Sequence, residues 1–85
     1  MTESILVINA GSSSIKFQLF AIESGDRLER RFKGQIEGVG TRPRLFAVNP
    51  NREILSDVTW SAPDVPDVPA ALEKVVEFLR PQIGG

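Results

Sequence analysis

The fold of this 85-residue chain is written most clearly in Ile5-Leu6-Val7-Ile8-Asn9-Ala10-Gly11-Ser12-Ser13-Ser14-Ile15-Lys16-Phe17-Gln18-Leu19-Phe20. Four aliphatic side chains, Ile5 to Ile8, run without a break and are halted by Asn9-Ala10-Gly11. A short apolar run closed by turn residues predicts a strand buried on both faces, hence central in its sheet. Gly11-Ser12-Ser13-Ser14 then makes a tight connection of small residues. From Ile15 the chain alternates, with Ile15, Phe17 and Leu19 on one face and Lys16, Gln18, Phe20 and Ile22 on the other. Strands joined by so short a link must be antiparallel neighbours, a hairpin.

Further on, Glu23-Ser24-Gly25-Asp26 predicts a second turn, with Gly25 free to take positive φ. Leu28, Phe32 and Ile36 fit helix and strand periodicities alike. Gly34 and Gly38 oppose a helix, and Glu29, Arg31, Lys33, Gln35 and Glu37 make a continuous polar face. A third antiparallel strand with one solvated side is expected. Arg27, Arg30, Arg31 and Lys33 have acidic residues among them and read as a solvated strand edge. Residues 38–43 are loop, residues 44–48 a short strand, Asn49-Pro50-Asn51 a turn, and residues 53–60 another strand ending at Trp60, a packing residue. The three prolines of residues 61–69 suit an extended connector.

An amphipathic helix should follow, with Asp67 as N-cap and Pro69 in the first turn, where no donor is missed. Leu72, Val75, Val76 and Leu79 form its apolar stripe, Glu73, Lys74, Glu77 and Arg80 cover the other side, and Pro81 should end it. The layout is α/β: five short strands, mostly in antiparallel hairpins, then one amphipathic helix. That helix needs a sheet to lie on, and another strand usually follows such an element, so Gly84-Gly85 reads as a cut rather than a natural end.

Composition narrows the chemistry. The chain has no Cys and no His, which excludes disulfide scaffolds, zinc fingers, Cys or His dyads and Ser-His-Asp triads within it. Ten Lys plus Arg against eleven Asp plus Glu give a net charge of −1, without the basic excess of a nucleic-acid binder. No apolar run approaches the ~20 residues of a membrane span, and Ile5-Leu6-Val7-Ile8 is too short for a signal-peptide core. A soluble cytoplasmic protein without nucleic-acid or membrane partners is the expectation.

One segment could carry chemistry. Asn9 ends the first strand, Ser12, Ser13 and Ser14 form the turn, and Lys16 stands one residue into the next strand. Consecutive amides in a tight turn can converge on an anion, and a nearby hydroxyl and ammonium strengthen the pocket. Asn9 offers an oxygen to Mg²⁺, directly or through a water. The same residues also make an ordinary hairpin, since Gly, Ser and Asn are common turn residues. The spacing is not that of a P-loop.

The stretch from Ile5 to Phe20 resembles the opening of acetate kinases: an aliphatic strand, then N-x-G-S-S-S-x-K, then an apolar strand. Every motif position is met. Ala10, Ser13 and Ile15 resemble the acetate and propionate kinases more than the butyrate kinases, which more often read N-P-G-S-T-S-T-K. The resemblance implies the ribonuclease H-like, actin-like ATPase fold shared by sugar kinases, Hsp70 and actin, in which two α/β domains hold a nucleotide between them. Residues 1–85 would then be a partial N-terminal domain of a two-domain enzyme.

By the same resemblance the parent catalyses ATP + acetate ⇌ ADP + acetyl phosphate with Mg²⁺ and is commonly a homodimer. Asn9 corresponds to the asparagine associated with the metal. Ser12 and Ser14 correspond to hydroxyls near the nucleotide phosphates, and Lys16 to the lysine assigned to ATP. Related sugar kinases and actin carry an aspartate where this chain has Asn9. The groups that bind acetate and stabilise the transition state lie beyond this stretch, so no catalytic residue is assigned and the stretch alone should be inactive. The alternative is a small non-catalytic β-rich interaction module, or a degenerate remnant, whose serine-rich turn is merely a turn.

Overall fold

A computed structural model describes residues 3–23, 25 and 27–83. The chain builds β1 (Glu3–Ala10), β2 (Ile15–Glu23), β3 (Arg27–Glu37), β4 (Arg44–Val48), β5 (Ile54–Thr59) and α1 (Val68–Ile83). The strands form one sheet in sequence order, antiparallel at every step. The architecture is mixed α/β, and no described helix is long and apolar enough to cross a membrane.

Alternation along β2 sets the layers. Ile15, Phe17, Leu19 and Ala21 are buried and are joined on the same face by Phe32 and Ile36 of β3 and Leu45 and Ala47 of β4. Ala71, Val75 and Leu79 of α1 close over them, with Val65 of the connector. Phe17, Phe32 and Phe78 form a triangle with centroids 5.5–6.4 Å apart, two of the three contacts edge-on. Such pairs contribute about 0.5–1.5 kcal/mol each beyond area burial. Gly34 lies within this face, where a Cβ would come 2.8 Å from Phe17 Cε2 and 2.9 Å from Ala47 Cβ. The missing side chain is what lets the Phe17 ring lie flat across β3.

Asp67 caps the helix as expected, its Oδ1 accepting from the Ala70 N–H at 3.0 Å. Asp67→Ala should therefore lower stability by about 0.5–2 kcal/mol. A urea titration followed by circular dichroism checks this, and an unchanged midpoint would remove the cap. Trp60 packs against the core, with Lys74 Nζ 5.6 Å above its ring.

Six expectations are corrected. Among the described residues β1 is neither central nor buried: it is an edge strand paired with β2 alone, and Ile5, Leu6, Val7 and Ile8 are 38–46% exposed. Its apolar pattern asks for cover on both faces that no described residue supplies. Leu28 lies off the core face because a bulge at Arg31, between the Leu19↔Phe32 and Phe20↔Arg30 pairs, reverses the parity of β3. It stands opposite Ile22, 54% exposed.

The helix stripe is rotated. Ala71, Val75 and Leu79 face inward, while Leu72 and Val76 face outward at 40% and 37% exposure. Pro81 sits inside α1, which continues to Ile83. In the last turn a proline removes one hydrogen bond, and a chain end relaxes its clash more easily than a helix middle. The connector is not wholly extended, since Ala62–Asp64 forms a 3₁₀ turn that the Ser61 hydroxyl ties to Asp64 at 2.7 Å.

β3 is the middle strand of the sheet, but only its residues from Lys33 to Glu37 pair with β4. Arg27, Arg30 and Arg31 lie on the overhanging part, exposed, as a strand edge should be, whereas Lys33, also exposed, pairs with both β2 and β4 and is not at an edge. Gly25 has φ +82° as expected, whereas Ser24 and Asp26 of that turn, the first two residues and Gly84-Gly85 lie outside the described residues.

Candidate functional site

The hairpin register determines where the candidate residues stand. Ala10 pairs with Ile15 and Asn9 with Lys16, which puts Asn9 and Lys16 directly opposite one another at the mouth of the turn. Facing residues of an antiparallel pair have Cβ atoms about 4.5–5.5 Å apart and share a face. That face is the open one, opposite α1, because Ile15 and Phe17 on either side of Lys16 are buried in the core. Both Asn9 and Lys16 are exposed.

The turn itself is held from two directions. The Gly11 N–H donates to the Ser14 carbonyl at 2.8 Å, closing the loop. From the side, the Val39 N–H donates to the Ser13 carbonyl at 3.2 Å. Val39 can reach inward because Gly38 and Gly40 take φ +70° and +83°, and its side chain is buried in the core. The amides of Ser12, Ser13 and Ser14 donate to no backbone acceptor among the described residues. Ser12 and Ser13 are exposed and Ser14 half-buried. A Cβ at Gly11 would stand 3.3 Å from Ser14 Oγ, so glycine there leaves room for that hydroxyl. The anchoring by Val39 was not anticipated from the sequence, where residues 38–43 carry only the marks of a loop.

Two cross-strand rows extend the open face. Asn9, Lys16, Gln35, Phe46 and Asp57 form one, and Val7, Gln18, Lys33, Val48 and Ile54 the next. At the far end Arg44 grips Asp57 with two bonds, Nε to Oδ1 at 2.9 Å and Nη2 to Oδ2 at 3.0 Å, and lies 5.0 Å from the centre of the Phe46 ring. The hydrogen bond to Arg44, reinforced by its charge, holds the Asp57 carboxyl below its ordinary pKa; the guanidinium is raised in return. Lys16 and Lys33 take no part in any ion pair among the described residues.

Residues 4–82, nearly the whole chain, match the model of the acetokinase family. The chain belongs to the acetokinase family. It is 47% identical to the acetate kinase of Nitrobacter hamburgensis over 81 residues, covering 95% of this chain and 20% of that protein. The acetate kinase of Rhizobium meliloti is 46% identical over 77 residues, 91% of this chain and 19% of the relative. That of Bacillus subtilis is 41% identical over 78 residues, 87% and 18% respectively. The chain thus spans about a fifth of the length of the curated relatives it matches. No solved structure matches it.

Asn9 offers a carboxamide oxygen at the mouth of the turn. No three His, Cys, Asp or Glu residues converge among the described residues. Asn9 supplies a single neutral oxygen, which fits an ion that keeps most of its waters and takes its remaining ligands from substrate phosphates.

Proposed function

We propose that this stretch is the phosphate-gripping part of the N-terminal domain of an acetate kinase-like enzyme, catalysing ATP + acetate ⇌ ADP + acetyl phosphate. In that reaction an acetate oxygen forms a bond to the terminal phosphorus as the bond to the ADP oxygen breaks. Mg²⁺ would neutralise charge on the phosphate oxygens. The turn amides and the Ser12 and Ser14 hydroxyls donate to those oxygens, Lys16 meets their charge, and Asn9 orients a metal-bound water. The observation that supports this reading best is the pairing of Asn9 with Lys16 across the mouth of a turn whose Ser12, Ser13 and Ser14 amides donate to no backbone acceptor among the described residues.

The same proposal makes residues 1–85 part of one half of a two-domain, actin-like ATPase, cytoplasmic and homodimeric. Phosphoryl transfer rests on several groups acting together to position and neutralise the phosphates. A hairpin with one phosphate turn holds only some of them.

Two assays test the proposal. The 85-residue chain alone should leave hydroxamate-detected acetyl phosphate at background. A chimera with residues 4–82 in place of the matching segment of the Nitrobacter hamburgensis enzyme should form it with ATP, acetate and Mg²⁺. A folded but inactive chimera, or robust turnover by the short chain alone, would refute the proposal.

A further inference from the structure

The open face holds a shallow depression of about 360 Å³ beside the turn, lined by Lys16, Gln18, Lys33, Gln35, Phe46 and Val48. Lys16 faces Gln35 and Gln18 faces Lys33, so the two lysines are diagonal neighbours on β2 and β3. Such a diagonal spans about 7–8 Å between backbones, within reach of two long side chains. Of the acids on this face, Asp57 is held by Arg44, whereas Glu37, in register with that same arginine and on the other diagonal of Lys16, makes no ion pair among the described residues. Lys16 and Lys33 stand side by side over a floor that Gln18 and Gln35 share with Phe46 and Val48, and an anion between the two charges would relieve their repulsion. The three serine amides open at the end of β2 nearest Lys16.

We infer that Lys33 is a second cation of the phosphate site, so that the hairpin grips two consecutive phosphoryl groups. One is held by the turn amides and Lys16, the next between Lys16 and Lys33. The ligand class is a di- or triphosphate chain. The inference rests on the phosphate-binding reading of the turn and extends it to a residue outside the Asn9–Lys16 motif. Gln18 and Gln35 offer carboxamide donors beneath the second group.

The test is the response of the 85-residue chain to inorganic phosphates of increasing length, followed by amide chemical shifts. Tripolyphosphate should move the amides of residues 12–16 and 33–35, whereas orthophosphate should move only the first group. Lys33→Gln should weaken tripolyphosphate roughly threefold to fivefold, as expected for an exposed charge pair, and leave orthophosphate unchanged. Lys33→Arg should restore the wild-type response. The substitution lies on a solvated strand face, so spectra without ligand should superimpose. If Lys33→Gln leaves tripolyphosphate binding intact while residues 12–16 still respond, the inference falls and the turn stands. If no phosphate moves residues 12–16, both fall.

Discussion

Gly34→Val should abolish cooperative folding or bring the urea midpoint close to zero. The Cβ alone would lie 2.8 Å from Phe17 Cε2 and 2.9 Å from Ala47 Cβ, closer than such atoms sit in proteins, and two further methyls would have to find room. Phe17 cannot yield easily, because Phe32 and Phe78 hold its ring at centroid distances of 6.4 and 5.8 Å. Overpacking of this kind costs about 1–3 kcal/mol, sometimes more. A domain this small has only a few kcal/mol to lose. The diagnostic variant is the pair Gly34→Ala with Phe17→Leu. If the clash is with the ring, the double substitution should cost less than the sum of the singles. Strict additivity, or a Gly34→Val protein with an unchanged midpoint, would place the Phe17 ring elsewhere.

Lys16→Ala, made in the active chimera, should raise the KM for ATP or lower kcat/KM by roughly ten- to 150-fold, the worth of one charge-assisted contact. The KM for acetate should move far less, since no acetate-binding group is placed in this hairpin. Lys16→Arg should recover part of the loss by keeping the charge. The lysine side chain is exposed and forms no ion pair among the described residues, so melting without ligand should not change. Asn9→Ala should act differently, by raising the Mg²⁺ concentration needed for half-maximal rate. ATP kinetics untouched by Lys16→Ala, or a loss explained wholly by a lower melting temperature, would make the turn structural.

How far the sequence could be read depended on what each pattern encodes. Ile15, Phe17 and Leu19 declared the core face because strict alternation leaves one solution. The hairpin followed from its four-residue link, and Asp67 declared the helix start through its own chemistry. Leu28 misled because a bulge at Arg31 adds one residue to the count, and nothing in residues 27–37 marks where. On the helix the expected stripe of Leu72, Val75, Val76 and Leu79 is half kept: Val75 and Leu79 are buried, and Ala71 takes the place of Leu72 and Val76. Hydrophobicity favoured the larger side chains. The structure instead turns the small Ala71 inward, which lets α1 approach the sheet while Phe78 joins the phenylalanine triangle.

At the turn, the motif residues were legible, whereas their mutual placement, Asn9 opposite Lys16, came from the strand register. The support from Val39 was not legible, because a contact between residues 13 and 39 has no local signature. The apolar strand β1 is the opposite case. Its sequence states a burial that the described residues do not provide.

The double anchoring of the serine turn also bears on the thermodynamics of anything that docks there. A loop closed by Gly11 to Ser14 and fastened by Val39 to Ser13 has lost its conformational freedom during folding. An incoming anion then meets donors already arranged, and little further ordering opposes its binding. Part of that rigidity originates in a glycine-flanked valine in the loop after the third strand, so the entropy of association at the turn would be set partly by residues far from it in sequence.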